Sequence, residues 1–219
     1  MNEEHSALPE ITRFPSPVKK SPFSTKEEKI AYIAERFGQI MEALGLDLDD
    51  PSLTRTPLRV AKMYVNEVFS GLDPETFPEV RYIDNAFSYP NGSNVVLVKA
   101  HFTSFCEHHF VPMTGFACVA YIPKKKVIGL SKISRIVRYF AKRPQVQERL
   151  SAQIADSLAL LLETEDVAVS TSATHFCVMA RGIEDQHAHT IANVLRGEFL
   201  SNESVKREFF EGINRIHQV

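Results

Sequence analysis

The sequence predicts an α+β fold, an antiparallel four-stranded sheet with helices on one face. Three observations predict it. Hydrophobic spacing alternates between the helical and the extended period in the order αα, ββ, αα, ββ, α. The strand-like segments come in pairs separated by two helices, the order of hairpins in an antiparallel sheet and not of a doubly wound parallel one. Finally, 219 residues that are 44% hydrophobic and 24% charged can bury one sizeable core.

Residues 1–23 carry Pro9, Pro15, Pro17 and Pro22 with scattered charge and no period, and read as a mobile tail without assigned chemistry. Ser24 and Glu27 have capping-box spacing. Ile30, Ile33, Phe37, Ile40, Met41 and Leu44 then recur at helical intervals up to Gly45. Thr56-Pro57 opens a second helix that Gly71 can close, with Val60, Met63, Tyr64 and Val68 as its apolar stripe. These N-terminal helices occupy 24–72 of a single domain over 24–219, whose core runs 94–219. Asn94–Phe102 and Phe116–Ile122 have period two and predict neighbouring strands across Pro112 and Gly115. Helical spacing returns after Gly129, breaks at Pro144 and resumes through Val146, Leu150, Ile154, Leu158 and Leu161. Val167–Ala180 and Thr190–Phe199 are again strand-like, and Asn202–Ile216 closes the chain as a helix.

Composition narrows the function. With 25 Lys+Arg against 27 Asp+Glu, the net charge of −2 removes the basic excess of a non-specific nucleic-acid binder. No apolar run reaches the roughly 18 residues of a membrane span, and the polar, proline-interrupted leader has no export stretch, so a cytoplasmic protein without nucleic-acid or membrane partners is expected. Three cysteines, Cys106, Cys118 and Cys177, cannot all pair, which favours thiol or metal chemistry over a disulfide scaffold.

Cys106 and His109 lie three positions apart at a strand end, where both can turn onto one ion. His175 and Cys177, two apart on a later strand, project from one face. Cys106, His109 and Cys177 would give zinc three ligands and leave a fourth position for water, as in catalytic sites. Buried cysteines and satisfied histidines explain the spacing equally well. Cys118 alternates with Phe116, Ala120 and Ile122 and reads as a small core residue, and His101 as structural. His108 and His175 remain as acid–base groups that titrate near neutrality. Ser131, Lys132 and Arg135 begin a helix after Gly129, where N–H groups and the dipole favour an anion. Arg59, Lys62 and Arg181 could add the charge a polyphosphate needs, though each taken singly reads as a solvated surface residue. Glu148, at the start of the second mid-chain helix, could accept both the N1–H and the exocyclic amine of guanine, although most helical glutamates only face solvent.

Taken together, Cys106-Glu107-His108-His109, Ile128-Gly129-Leu130-Ser131-Lys132, Arg143-Pro144-Gln145-Val146-Gln147-Glu148-Arg149-Leu150, His175-Phe176-Cys177, Ala180-Arg181-Gly182 and Thr56-Pro57-Leu58-Arg59-Val60-Ala61-Lys62-Met63-Tyr64 resemble the zinc-dependent GTP cyclohydrolase I family. The resemblance spans 25–219. It implies the tunnelling fold, in which sheets of several subunits close into a barrel, and a homodecamer of two pentamers with active sites at subunit boundaries. It also implies one Zn2+ per subunit on Cys106, His109 and Cys177, triphosphate binding by Ser131, Lys132, Arg135, Arg181, Arg59 and Lys62, guanine recognition by Gln147 and Glu148, and catalysis by His108 and His175, with Ser131 a proton carrier. The implied reaction converts GTP and water to 7,8-dihydroneopterin triphosphate and formate, the first step of folate and pterin biosynthesis.

One segment departs from that pattern. Where many family members have a Ser/Thr-rich strand, this chain has Asp185-Gln186-His187-Ala188-His189-Thr190-Ile191-Ala192-Asn193, in which His187 and His189 read as solvated turn histidines ahead of extra metal ligands or pH-sensitive contacts. Two rivals to the full reaction stand beside it: a hydrolase that halts at the ring-opened formamidopyrimidine, and a non-catalytic paralogue that binds GTP or a partner protein, for which the altered segment is the only sequence support.

Overall fold

The structure is a computed structural model that describes residues 17–19, 21–80, 82–84 and 94–217. Most of the expected tail lies outside the described residues.

Helix α1 (Lys26–Ala43) is closed by a capping box one residue later than the sequence spacing placed it: the Thr25 hydroxyl accepts from Glu28 N–H, and the Glu28 carboxylate accepts from the N–H groups of Thr25 and Ser24. The Ser-Thr-Lys-Glu-Glu run offers two overlapping frames, and the one used lets a single carboxylate take two free N–H groups. Only part of the predicted stripe is buried. Met41 packs inside, whereas Ile40 and Leu44 are 54% and 73% exposed, so this helix has apolar surface that one chain does not cover. Helix α2 (Thr56–Met63) opens at Thr56-Pro57 as expected, but does not run evenly to Gly71: Tyr64–Val68 widens to π-helical and Ser70–Leu72 tightens to 3-10. Gly71 is required by proximity, since a Cβ there would sit 2.1 Å from the Tyr139 carbonyl oxygen.

The main sheet has five strands, β1 (Tyr82–Asp84) standing apart in a two-stranded pair with β4 (Lys126–Ile128). Its order is β5-β2-β3-β6-β7, with β2 (Val96–Cys106), β3 (Pro112–Tyr121), β6 (Val167–His175) and β7 (Thr190–Leu195) antiparallel as predicted. The fifth strand corrects the four-stranded expectation. Strand β5 (Pro144–Gln145) pairs parallel with Phe105 and Cys106; two residues are too short to show any period in sequence. Gly115 sits inside β3 because a Cβ would meet the Ser172 carbonyl oxygen at 1.9 Å.

Helices α3 (Leu130–Ala141) and α4 (Gln147–Leu162) cover one face. Ile133, Ile136, Phe140, Leu150, Ile154 and Leu158 are fully buried there against Ala117, Val119 and Val169. The helices do not keep to that face alone, which is a second correction. Helix α7 (Glu203–His217), with the short α6 (Glu198–Ser201), packs Phe199, Val205 and Phe209 on Ala120 and Ala168, residues of opposite parity in their strands and therefore on the opposite face. Cys118 is fully buried on that second face, as the alternation predicted.

Candidate active site

The site lies where β2, β5 and β6 end together. Strand β2 delivers Cys106, whose N–H donates to Val111 O (2.9 Å) and so closes the tight turn carrying His108 and His109. Strand β6 ends at His175, and the chain turns into a single helical turn, α5 (Phe176–Met179). Cys177 therefore sits on a helical turn and not on the strand that the His-x-Cys alternation predicted. The consequence is favourable: the turn carries the Cys177 sulfur back toward β2. Donor atoms of Cys106, His109 and Cys177 all lie within 4.8 Å of one another. The Cys106 sulfur is 3.8 Å from Nδ1 of His108 and 3.8 Å from Nδ1 of His109.

The electrostatics of the cluster fit a cation. Burial pushes the Cys177 thiol up, and the neighbouring Cys106 adds to the shift. Metal coordination deprotonates cysteine thiols, so a divalent ion would offset the burial that opposes the Cys177 thiolate, and a soft–borderline S2N set suits zinc. The supporting groups are held in turn. Arg149 of α4 pairs bidentately with Glu107, its Nη2 3.2 Å from Oε1, and this hydrogen bond holds the Glu107 carboxyl below its ordinary range. Arg181 Nη1 stands 2.8 Å from His109 Nε2.

His175 is half-buried beside the cluster. Burial lowers its pKa, the Glu148 carboxylate opposes that shift, and His189 reinforces it. Its Nε2 lies 2.8 Å from Oε1 of Gln147. Glu148 is exposed one residue further along α4, whereas Gln147 is 1% exposed with its carboxamide engaged at both ends. His189 is more than a solvated turn residue: Nε2 is 2.5 Å from Ser172 Oγ and Nδ1 is 3.3 Å from Thr174 Oγ1, tying the start of β7 to β6. His187 is exposed, with its N–H on Asp185.

The cationic residues divide. Arg181 reaches the cluster. Arg135 instead lines a cavity of about 270 Å3 with Arg138, Lys142, Ser70 and Thr76. No hydrogen bond or ion pair among the described residues joins Arg59, Lys62, Ser131 or Lys132 to the Cys-His-Cys group. Ser131 and Lys132 stand in the first turn of α3, and Arg59 and Lys62 on α2. His101, exposed on β2, stacks edge-on with Phe116. Sequence reasoning missed the Glu107–Arg149 pair and the partners of Gln147; both join segments far apart in the chain, and only their membership in the quoted motifs signalled them.

Comparison with known proteins agrees with this geometry. A family model described as GTP cyclohydrolase I matches residues 33–214. The chain is 52% identical over 190 residues to GTP cyclohydrolase 1 of Aeromonas hydrophila subsp. hydrophila, covering 86% of each. It is 49% identical over 192 residues to that of Mannheimia succiniciproducens, covering 87% of each, and 50% identical over 199 residues to that of Vibrio vulnificus, covering 90% of each. A solved apo archaeosine synthase QueF-like structure overlaps 49% of the chain and 94% of its own at 16% identity and a TM-score of 0.39, too slight a likeness to argue from. A thiol–imidazole–thiol group at the strand ends and half-identity to these enzymes over nearly nine-tenths of the chain lead to one assignment: the chain belongs to the GTP cyclohydrolase I family.

Proposed function

We propose that this protein converts GTP and water to 7,8-dihydroneopterin triphosphate and formate. The observation that carries the reading is the convergence of Cys106, His109 and Cys177 beside His175. Those three side chains would hold one Zn2+ per subunit, and bound there zinc supplies Lewis acidity that makes water nucleophilic near neutral pH. The attack falls on C8 of the purine. His175 protonates the imidazole nitrogen as the C8–N bond breaks, and a second hydrolysis releases formate. Glu148, exposed at the first turn of α4, accepts from guanine N1–H and N2–H, a pair adenine does not offer. Gln147, expected beside it as a base reader, turns its side chain inward instead. Arg181, Arg135, Lys132, Ser131, Arg59 and Lys62 neutralise the triphosphate, and Ser131 and His108 carry protons in the ribose rearrangement.

The site completes itself by assembly into a homodecamer of two pentamers. Three features support this: β7 is an edge strand, α1 exposes Ile40 and Leu44, and five of the six phosphate candidates lack a tie to the cluster among the described residues. No described helix is long and apolar enough to cross a membrane, in keeping with a cytoplasmic setting.

The test is incubation of the zinc-loaded protein with GTP, with formate quantified and pterin read by fluorescence. Equal yields of both are expected. A product that keeps its formyl group would limit the protein to ring opening, and GTP binding with no formate would make it a binding protein.

A further inference from the structure

Gln147 sits in the first turn of α4 and is 1% exposed. Its Nε2 is 3.1 Å from Thr171 O, 3.0 Å from Thr190 O and 3.1 Å from Thr171 Oγ1. Carbonyl oxygens only accept, so two of these three neighbours fix the nitrogen end. Turned over, the amide would press its oxygen against two backbone oxygens where no water can intervene. The third neighbour belongs to a closed circuit of donors: Gln147 Nε2 donates to Thr171 Oγ1, the Thr171 hydroxyl donates to Ser151 Oγ at 2.8 Å, and the Ser151 hydroxyl donates to Gln147 O at 3.0 Å. Ser151 and Thr171 are both fully buried. Two of the three acceptors around Nε2 are backbone carbonyls that the flipped amide could not face, so the carboxamide has a single orientation.

That orientation aims Oε1, an obligate acceptor, at His175 Nε2, 2.8 Å away. The bond exists only if Nε2 carries a proton, and a neutral imidazole carries one. We propose that Gln147 is a positioning residue that locks His175 in its Nε2–H tautomer and thereby makes Nδ1 the ring atom that exchanges a proton with the substrate. The Nδ1 atom makes no hydrogen bond among the described residues. In the neutral ring Nδ1 holds the lone pair. Once it takes a proton, both nitrogens are protonated and the Nε2–H···Oε1 bond persists; when Nδ1 hands that proton to a purine nitrogen, the ring returns to the same tautomer. The buried circuit thus holds the catalytic ring in one state on either side of the transfer.

The inference rests on His175 being the acid–base residue of the proposed reaction, and its test separates the two ideas. Zinc-loaded full-length protein labelled with 15N-histidine is compared with Gln147→Leu, Gln147→Glu and Thr171→Val, and the His175 signals are identified by their loss in His175→Ala. In the parent protein a protonated Nε2 and a bare Nδ1 are expected. In Gln147→Leu the single tautomer is lost and kcat for formate release falls about tenfold or more, with zinc content and KM for GTP nearly unchanged. Gln147→Glu keeps an acceptor for Nε2–H, but its second oxygen can meet the Thr171 and Thr190 carbonyls only when protonated, so it recovers part of kcat toward the acid end of the pH range and not at its alkaline end. Thr171→Val, which removes only one anchor, shifts both readouts the same way by less. A protonated Nδ1 in the parent protein overturns the inference, and so does a raised KM at constant kcat, the behaviour of a base reader. The parent spectrum decides even if the leucine variant fails to fold. Absence of formate from the parent protein with the expected spectrum would refute the reaction and leave the tautomer standing.

Discussion

The two ends of β6 treat polar groups in opposite ways. At the Val167 end the named charged groups are paired: Asp166 accepts from Lys124 at 2.8 Å and from Glu198 N–H at 2.9 Å, Arg196 pairs with Asp156, and α6 and α7 seal the end with Phe199 and Phe209. At the His175 end the groups have unspent capacity. Two sulfurs and an imidazole crowd within 4.8 Å, one nitrogen of His175 is committed while the other has no partner among the described residues, and Glu148 faces solvent. Saturated polar groups hold a fold together, whereas groups left with open valence at a fixed geometry await a ligand. The molecule is stabilised at one end of the strand and equipped at the other.

If that division is right, changes at the open end should remove function and spare the fold. The largest effect is expected from Cys106→Ser or Cys177→Ser. Loss of a first ligand should cost more than the 10–100-fold typical of outer-shell partners, so formate release falls by more than about 100-fold and bound zinc disappears. Melting temperatures of the chelated variant and chelated parent should coincide, the zinc-dependent increment being lost only from the variant. Full turnover by either variant after chelation would end the zinc reading. Marked destabilisation of the chelated variant would mean that the open end is structural after all.

The Cys-His-Cys group was legible in the sequence because two short spacings, Cys-x-x-His and His-x-Cys, each bring donors together by local geometry alone. The same locality misled at Cys177: Thr174-His175-Phe176-Cys177 alternates as a strand does, and only the fold turns the last two residues into a helix. Helices α3 and α4 were legible because their apolar period is long and faces one layer. The capping frame of α1 was ambiguous by one residue, since two frames satisfied it. What sequence could not supply was contact between distant segments. Strand β5 exists only through pairing with β2, and Gln147 finds its acceptors 24 and 43 residues away. The exposed Ile40 and Leu44 belong to the same class, because a stripe predicts burial without naming what buries it.

The second prediction asks whether the open end is open to another copy of the chain. Arg135 lines its own cavity and Cys106 its own cluster, so a shared site would draw them from different subunits. Cys106→Ser and Arg135→Ala proteins, each deficient alone, should regain activity when dissociated together and reassembled as mixtures. With random equal mixing, about a quarter of sites receive both intact residues, since each is supplied with a probability of one half. Recovery near that fraction supports sites shared between subunits. No recovery from properly reassembled mixtures would place both residues in one chain's site.

The smallest effect belongs to the closed end. Burial pushes the Asp166 carboxyl up, but the hydrogen bonds from Lys124 and Glu198 N–H and the Lys124 charge outweigh it and hold the group below the ordinary carboxylate range. A folded pKa below the unfolded value of about 3.9 means that the contribution to stability is complete above that pH and lost as pH falls through the folded pKa. Asp166→Asn should therefore cost about 1–2 kcal/mol near neutrality, because the amide keeps an acceptor for Glu198 N–H but gives up its charge-assisted bonds. Against the parent, the stability difference seen in urea melts should shrink as the pH is lowered through the acid range, while formate release per folded molecule stays level. The Gly197 backbone, at φ +53° and packed against the Asp166 carboxylate, keeps α6 in register with that oxygen and makes the cost local to this end. A variant that lost turnover in proportion to stability would tie the two ends of β6 together and dissolve the division between them.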